Sequence, residues 1–252
     1  MSQPLQRPSV LIFGASGGIG SALARQLATQ GCQLTLVARE RDRLDALAEE
    51  LAADAFSVDA TDSAAVEHCL AEVSEKHGPV AGVVNCAGSL LLKPAHLTTD
   101  AEWAAVLGDN LTSSFHILRS ATARMMKTGG GSIVLVTSAV ARRGMINHEA
   151  IAAAKAGVAG LALSAAATYA RYHIRVNCVA PGLTRTPLTQ ALTKNETSLR
   201  ASAALHPLGR IGEPDEVASA IRWFLSPEQR WITGQVLGVD GGLSSVQARS
   251  ST

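Results

Sequence analysis

"SVLIFGASGGIGSALARQLA", residues 9–28, decides how the rest of the chain is read. A short apolar run ends in a glycine-rich turn, which passes directly into a segment whose apolar residues recur at helical spacing. Residues 9–14 read as a strand and residues 19–30 as the helix that follows. Between them stand Gly14, Gly18 and Gly20. Glycines there permit a tight turn and let backbone N–H groups approach an anion such as a pyrophosphate at the positive end of the helix. Turns are glycine-rich anyway, so the trio takes its meaning from its place between strand and helix.

The same alternation continues along the chain. Further strands are expected at 33–38, 55–59, 82–88, 132–138, 174–182 and 234–242. Helices are expected at 41–52, 63–77, 103–127, 150–172 and 214–225. Apolar strands without polar alternation are buried on both faces, and strand–helix–strand order implies a parallel sheet. The expectation is one α/β domain over 1–252, a doubly wound parallel sheet of about seven strands with helices on both faces. Residues 187–208, "PLTQALTKNETSLRASAALHPL", fit neither strand nor core helix and contain breaks at Pro187, Asn195 and Pro207. Ligands of open α/β sheets bind beyond the carboxyl ends of the strands. A helical insertion after the sixth strand is therefore placed to cover a substrate, although a surface excursion would read the same.

Composition narrows the partners. The chain has 252 residues, 47% of them hydrophobic, and a formal net charge of +1, which gives no basic footprint for nucleic acid or an anionic membrane surface. No uninterrupted apolar run approaches the roughly 20 residues of a bilayer span. The opening "MSQPLQRPSV" lacks the apolar core of a secretory signal. Cys32, Cys69, Cys86 and Cys178 have neither metal-ligand nor CxxC spacing and read as small buried residues in a reduced compartment. A small-molecule substrate, no metal and a cytoplasmic location are expected.

The spacing GxxxGxG of "GASGGIG" resembles the TGxxxGIG pattern of the short-chain dehydrogenase/reductase family, with Phe13 where that family has threonine. "NCAG" (85–88) resembles its NNAG, and "VNCVAPGLTRTP" (176–187) its VNxxxPGxxxT. "PLGRIGEPDEVASAIRWFLS" and "ITGQVLGVDGG" resemble the C-terminal segments of the smaller bacterial members, among them 3-oxoacyl thioester reductases. The matches follow the family's order over nearly the whole chain. The resemblance implies a Rossmann fold and a nicotinamide cofactor. It also implies a homotetramer joined through the helix at 150–172 and the segment 214–242.

The end of the second strand bears on which nicotinamide cofactor is used. An acid there would bond the ribose hydroxyls of NAD and repel a 2′-phosphate. The chain has Ala38 followed by Arg39, and a guanidinium pairs well with phosphate, so NADP(H) is expected over NAD(H). With Glu40 and Asp42 nearby, a solvated residue at a helix start is the lesser reading of Arg39. The resemblance sets Ser16 and Ile19 along the phosphates and Asp59 at the adenine amino group. It sets Asn85, Ala87 and Gly88 along the adenosine ribose and groove, and Pro181, Gly182 and Thr186 at the nicotinamide. Asp59 also reads as a helix cap, in competition with Asp62.

Family catalysis uses asparagine, serine, and a tyrosine and lysine spaced YxxxK. Hydride addition to a carbonyl develops an oxyanion, which calls for a proton donor and supporting dipoles. A tyrosine of pKa near 10 needs a neighbouring cation to work near neutrality. Asn110 matches the asparagine, Ser138 the serine and Lys155 the lysine, which would also hold the nicotinamide ribose. The tyrosine position, four residues before Lys155, holds Ile151. The chain's two tyrosines, Tyr169 and Tyr172, lie more than roughly 20 Å along the same helix at 1.5 Å per residue. His148 precedes Ile151 by three residues and is the candidate substitute donor, although with Glu149 it also reads as an ordinary helix start. Two readings stand: an NADP(H)-dependent oxidoreductase with an atypical site, or a silent family member that binds NADP(H) as a sensor or structural subunit.

Overall fold

The computed structural model describes residues 7–247. Residues 1–6, part of the stretch weighed against a secretory signal, and 248–252 lie outside the described residues. Strands and helices alternate as β1 (Ser9–Phe13), α1 (Gly18–Thr29), β2 (Gln33–Ala38), α2 (Arg41–Leu51), β3 (Asp54–Ser57), α3 (Ser63–His77) and β4 (Val80–Asn85). Two helices, α4 (Asp100–Leu107) and α5 (Ser113–Thr128), lead into β5 (Gly131–Val136), α6 (Glu149–Tyr169) and β6 (Ile174–Pro181). The chain ends with α7 (Gln190–Thr193), α8 (Glu196–Leu205), α9 (Pro214–Leu225) and β7 (Val236–Val239).

The sheet is parallel throughout, in the order β3-β2-β1-β4-β5-β6-β7. Successive strand side chains point to opposite faces, and both faces are covered. Leu11, Phe13, Ile133, Leu135 and Val176 pack with Val66, Leu70, Ile117 and Val158 of α3, α5 and α6. Val10, Ile12, Leu36, Val134 and Val179 pack with Leu23, Leu44 and Ile221 of α1, α2 and α9. Phe13, which stands where the resembling family has threonine, is a buried core residue. Strand order reverses between β1 and β4, so the connections leaving these neighbours diverge and open a crevice at their carboxyl ends.

Several expectations change in detail. The segment at 103–127 is not one regular helix: α4 and α5 are joined by a π-turn, Gly108–Thr112, which admits an extra residue and carries Asn110. The helical stretch Glu149–Tyr172 is, by length and composition, apolar enough to cross a membrane, contrary to the reading of the sequence. Its apolarity serves the core instead, with Ala154, Val158, Ala162 and Ala165 buried in the fold. Cys69 and Cys178 are buried as expected, whereas Cys32 and Cys86 are only half-buried. The insertion at 187–208 is helical over 187–193 and Glu196–Leu205, in keeping with the helical insertion expected there, and the break at Asn195 is the N-cap of α8. Between the two competing acids, Asp62 caps α3 by accepting from the N–H groups of Ala64 and Ala65. Asp62→Ala should lower stability by about 1 kcal/mol in thermal or urea unfolding. An unchanged midpoint would mean that water satisfies those two amides equally well.

Candidate active site

The glycine turn is shaped by a backbone contact. Gly14 has φ +72°, and a Cβ there would stand 2.5 Å from Ala87 N, so the exits of β1 and β4 touch main chain to main chain. Gly17 precedes α1 without a side-chain cap, and the helix has no acid in its first turn. Its first N–H groups therefore remain available to an anion. They border a cavity of about 370 Å³ lined by Gly14, Ser16, Gly18, Ile19 and Gly20 from this turn and by Ala87 and Gly88 opposite. Thr186 closes the other side, since a Cβ on Gly18 would meet its Cγ2 at 2.7 Å.

The far end of the cavity is charged. Arg39, Glu40, Arg43, Asp59 and Asp109 line it. Arg43 is committed to Glu40 through Nε at 2.9 Å, whereas Arg39 reaches across to Asp109 at 3.5 Å. Asp59 accepts from the N–H and hydroxyl of Thr61, at 2.9 and 2.8 Å. The Thr61 backbone N–H lowers its pKa most, the Thr61 hydroxyl and the Arg39 charge add to this, and burial opposes it. With the cap role taken by Asp62, Asp59 faces the cavity.

Two asparagines hold the β4 exit. Asn85 donates to Ser114 Oγ at 3.0 Å and accepts from Ala87 N–H at 2.9 Å, so its side chain shapes the turn. Asn110 donates to Val106 O at 2.9 Å and to Ser89 Oγ at 3.2 Å, and accepts from Ser89 N–H at 3.3 Å. It converges with Lys155 on the bare face of Gly88: a Cβ built there would lie 2.6 Å from Asn110 Oδ1 and 3.4 Å from Lys155 Nζ.

Lys155 is buried and donates from Nζ to Val136 O at 2.9 Å, while Thr137 Oγ1 donates to Lys155 O at 2.6 Å. These two bonds clamp α6 to the end of β5. Burial without a carboxylate partner lowers the lysine pKa from 10.5 to about 8, slightly opposed by Cys86 and Cys178. Burial pushes those two thiols up to about 12, which leaves them neutral. Ser138 follows the clamp directly, and its Oγ accepts from Val140 N–H at 3.3 Å. Its hydrogen has no acceptor among the described residues.

Ile151 is buried, four residues before Lys155, in an apolar cluster with Val106, Ala150 and Ala154 that Leu90, Leu91, Leu107, Leu111 and Val140 complete. His148 is bonded through Nδ1 to Ile146 O at 2.7 Å and makes no hydrogen bond to Ser138 or Lys155. Tyr169 and Tyr172 pack on the core at the other end of the helix. Pro181 is buried at the end of β6, and Gly182 lies against the His206 ring. Reasoning from the sequence missed this histidine. His206 donates Nδ1–H to Ser202 O (2.8 Å) and accepts from Leu183 N–H (3.3 Å), so it ties the end of α8 to the turn after β6. It also missed the Thr137 clamp and Asp109. Their only signals are adjacency to Ser138 and Asn110.

The residues present fit a dinucleotide: an uncapped helix start, a bare glycine surface, and a cationic group at each end of one groove. The sequence profile of the family described as Enoyl-(Acyl carrier protein) reductase matches residues 14–244. The chain is 35% identical over 240 residues to a 3-oxoacyl-(acyl-carrier-protein) reductase of Thermotoga maritima, covering 92% of this chain and 96% of that protein. It is 36% identical over 252 residues to a cis-4-hydroxycyclohexanecarboxylate dehydrogenase of Sinomonas cyclohexanicum, covering 98% of this chain and 100% of the other. Among solved structures, a short-chain type dehydrogenase/reductase of Mycobacterium ulcerans superposes with TM-score 0.91 at 30% identity, covering 98% of this chain and 93% of that one. A variant actinorhodin polyketide ketoreductase solved with NADPH gives TM-score 0.92 at 29% identity, covering 97% and 100%.

The depressed Lys155 pKa has a thermodynamic consequence. The unfolded chain keeps its proton up to about pH 10.5 and the folded chain only to about 8, so folding releases a proton in that window. Stability from this residue therefore rises with pH between about 8 and 10.5. Lys155→Met, which cannot ionise, should exceed wild type in stability at pH 7.5, and its advantage should shrink by about 2 kcal/mol by pH 9.5. A pH-independent difference between the two melting curves would contradict a lysine charged at the expense of burial.

Proposed function

The chain belongs to the short-chain dehydrogenase/reductase family, and from that premise we propose that it moves hydride between NADP(H) and a carbonyl or secondary alcohol through a site that lacks the family's tyrosine. The convergence of Asn110 and Lys155 on Gly88, at the edge of the glycine-lined cleft, carries this reading. The nicotinamide supplies or accepts the hydride when bound. The open amides of α1 bind the pyrophosphate, Arg39 takes the 2′-phosphate and Asp59 meets the adenine. Below pH 8 the Lys155 cation holds the nicotinamide ribose, and the turn Pro181–Thr186 closes over the ring. Ser138, with its hydroxyl hydrogen free, donates to the oxygen on which negative charge develops.

The proton is the step this site lacks. Ile151 presents methyl groups where the relatives would present a phenol, and a positioned general acid is worth about 10²–10⁴ in rate. Ile146 O can only accept a hydrogen bond, so His148 carries its hydrogen on Nδ1 and can donate from Nε2 only as the doubly protonated ring. Water entering beside Ser138 is the other source. A second reading, a silent NADP(H)-binding sensor or structural subunit, is favoured by the close packing of Ile151 among Leu90, Leu91, Leu107 and Leu111.

We place the protein in the cytoplasm as a homotetramer acting on a small molecule, with residues 187–208 over the substrate. Trp231, 97% exposed, and the partly exposed Trp223 and Leu237 flank a hollow of about 400 Å³ beside β7 that suits contact with a second copy.

Ile151→Tyr tests the chemistry. A gain of about 10²–10⁴ in NADPH-dependent reduction over a panel of carbonyl compounds would mark a site complete except for its acid. Unaltered inactivity with NADPH still bound would favour the silent reading. Arg39→Ala should weaken NADPH binding by about tenfold or more and leave NADH within about twofold. Equal losses for both would remove the 2′-phosphate assignment.

A further inference from the structure

Asp109 stands beside the catalytic candidate Asn110 in the π-turn Gly108–Thr112, yet it faces the other end of the cleft. Its Oδ1 lies 3.5 Å from Arg39 Nη1, with the two side chains 24% and 58% exposed. Neither side chain has a hydrogen-bond partner among the described residues. Of the other charges near Arg39, Glu40 is held by Arg43 on the first turn of α2, and Asp59, which accepts from Thr61, feels the Arg39 charge but forms no ion pair with it. Among the described residues, Arg39 and Asp109 both line the cavity and pair with each other there.

We propose that Asp109 is a specificity-determining residue that holds Arg39 across the adenosine end of the cleft, so that a 2′-phosphate must take the guanidinium from it. This rests on the assignment of Arg39 to the 2′-phosphate made above. A phosphate offers the half-exposed Arg39 a doubly charged, bidentate partner, which outcompetes a single carboxylate at 3.5 Å. The exchange therefore proceeds in favour of the cofactor, less the strength of the pair that is broken. NAD(H) carries a hydroxyl at the same position and leaves the pair intact. Asp109 consequently narrows the margin by which NADP(H) is preferred, although it sits on the wall opposite the strand that selects the cofactor.

The test is a set of equilibrium titrations of the full chain with NADPH and with NADH, followed by cofactor fluorescence. The proteins are wild type, Asp109→Asn, Arg39→Ala and the double variant. Asp109→Asn should tighten NADPH by about threefold, the range of an exposed ion pair, and leave NADH unchanged. In the Arg39→Ala background the same change should leave the NADPH/NADH ratio unaltered. If the gain persists in full without Arg39, Asp109 acts only by repelling phosphate and the pairing is overturned. If both cofactors tighten equally, or NADPH weakens, Asp109 meets a part common to both and the proposal fails. If Arg39→Ala selectively loses NADPH while Asp109→Asn changes nothing, the cofactor assignment stands and Asp109 alone is wrong. If Arg39→Ala leaves the ratio untouched, the assignment itself falls. Asp109→Ser, with a melting curve for each variant, separates these outcomes from a disturbed π-turn.

Discussion

A buried ammonium without a carboxylate partner is the constraint around which the cleft is arranged. Placing a cation in a protein interior is expensive unless its protons find acceptors. Lys155 has one in the carbonyl of Val136, and the hydroxyl of Thr137 fixes its own carbonyl, so lysine and strand end are held as one unit. Asn110 and Gly88 stand beside the ammonium, and the two thiols near enough to influence it are kept neutral by burial. The arrangement tolerates the charge without quenching it. An aspartate in place of either thiol would pair with the lysine and take it out of use.

The sheet explains why this unit lies where a ligand could use it. β1 and β4 are neighbours at the reversal of strand order, and their exits part around the glycine turn. β5 ends one strand further along, with Ser138 two residues beyond its last residue. The helix that carries Lys155 crosses the carboxyl end of β5 and packs its small residues against α5 and β6. The glycine turn and Ser138 thus lie at the ends of β1 and β5, on either side of β4, and no hinge between domains is needed to bring them together.

Much of this was legible in the sequence, for reasons that differ from element to element. The expected bounds of α3 and α9 coincide with those observed, because each ends where its apolar period stops and α9 opens with Pro214, Asp215 and Glu216 in its first turn. The glycine turn and the positions of Ser138 and Lys155 were legible because they depend on spacing within a single element. The π-turn was not, since an extra residue in a helix leaves the local apolar pattern almost unchanged. The competition between Asp59 and Asp62 was undecided for a related reason: both precede the helix, and only the observed path of the backbone gives Asp62 the amides. Pairings across the fold, Arg39 with Asp109 and His206 with Leu183, link residues 70 and 23 positions apart by their numbering and have no local signature. Ile151 was legible as an anomaly, and its apolar surroundings make it part of a consistent wall, not an isolated polar defect.

The π-turn has a consequence for how this site could change over evolutionary time. It sends neighbouring side chains apart, Asp109 toward Arg39 and Asn110 toward Gly88. A substitution can alter either residue alone, but loss of one residue from the turn would rotate the following helix by about 100° against the preceding one. Ser114, Ile117 and Ala121 would then leave the core together with the asparagine. The turn can therefore be kept or abandoned but not graded, which binds the two side chains in a single inheritance.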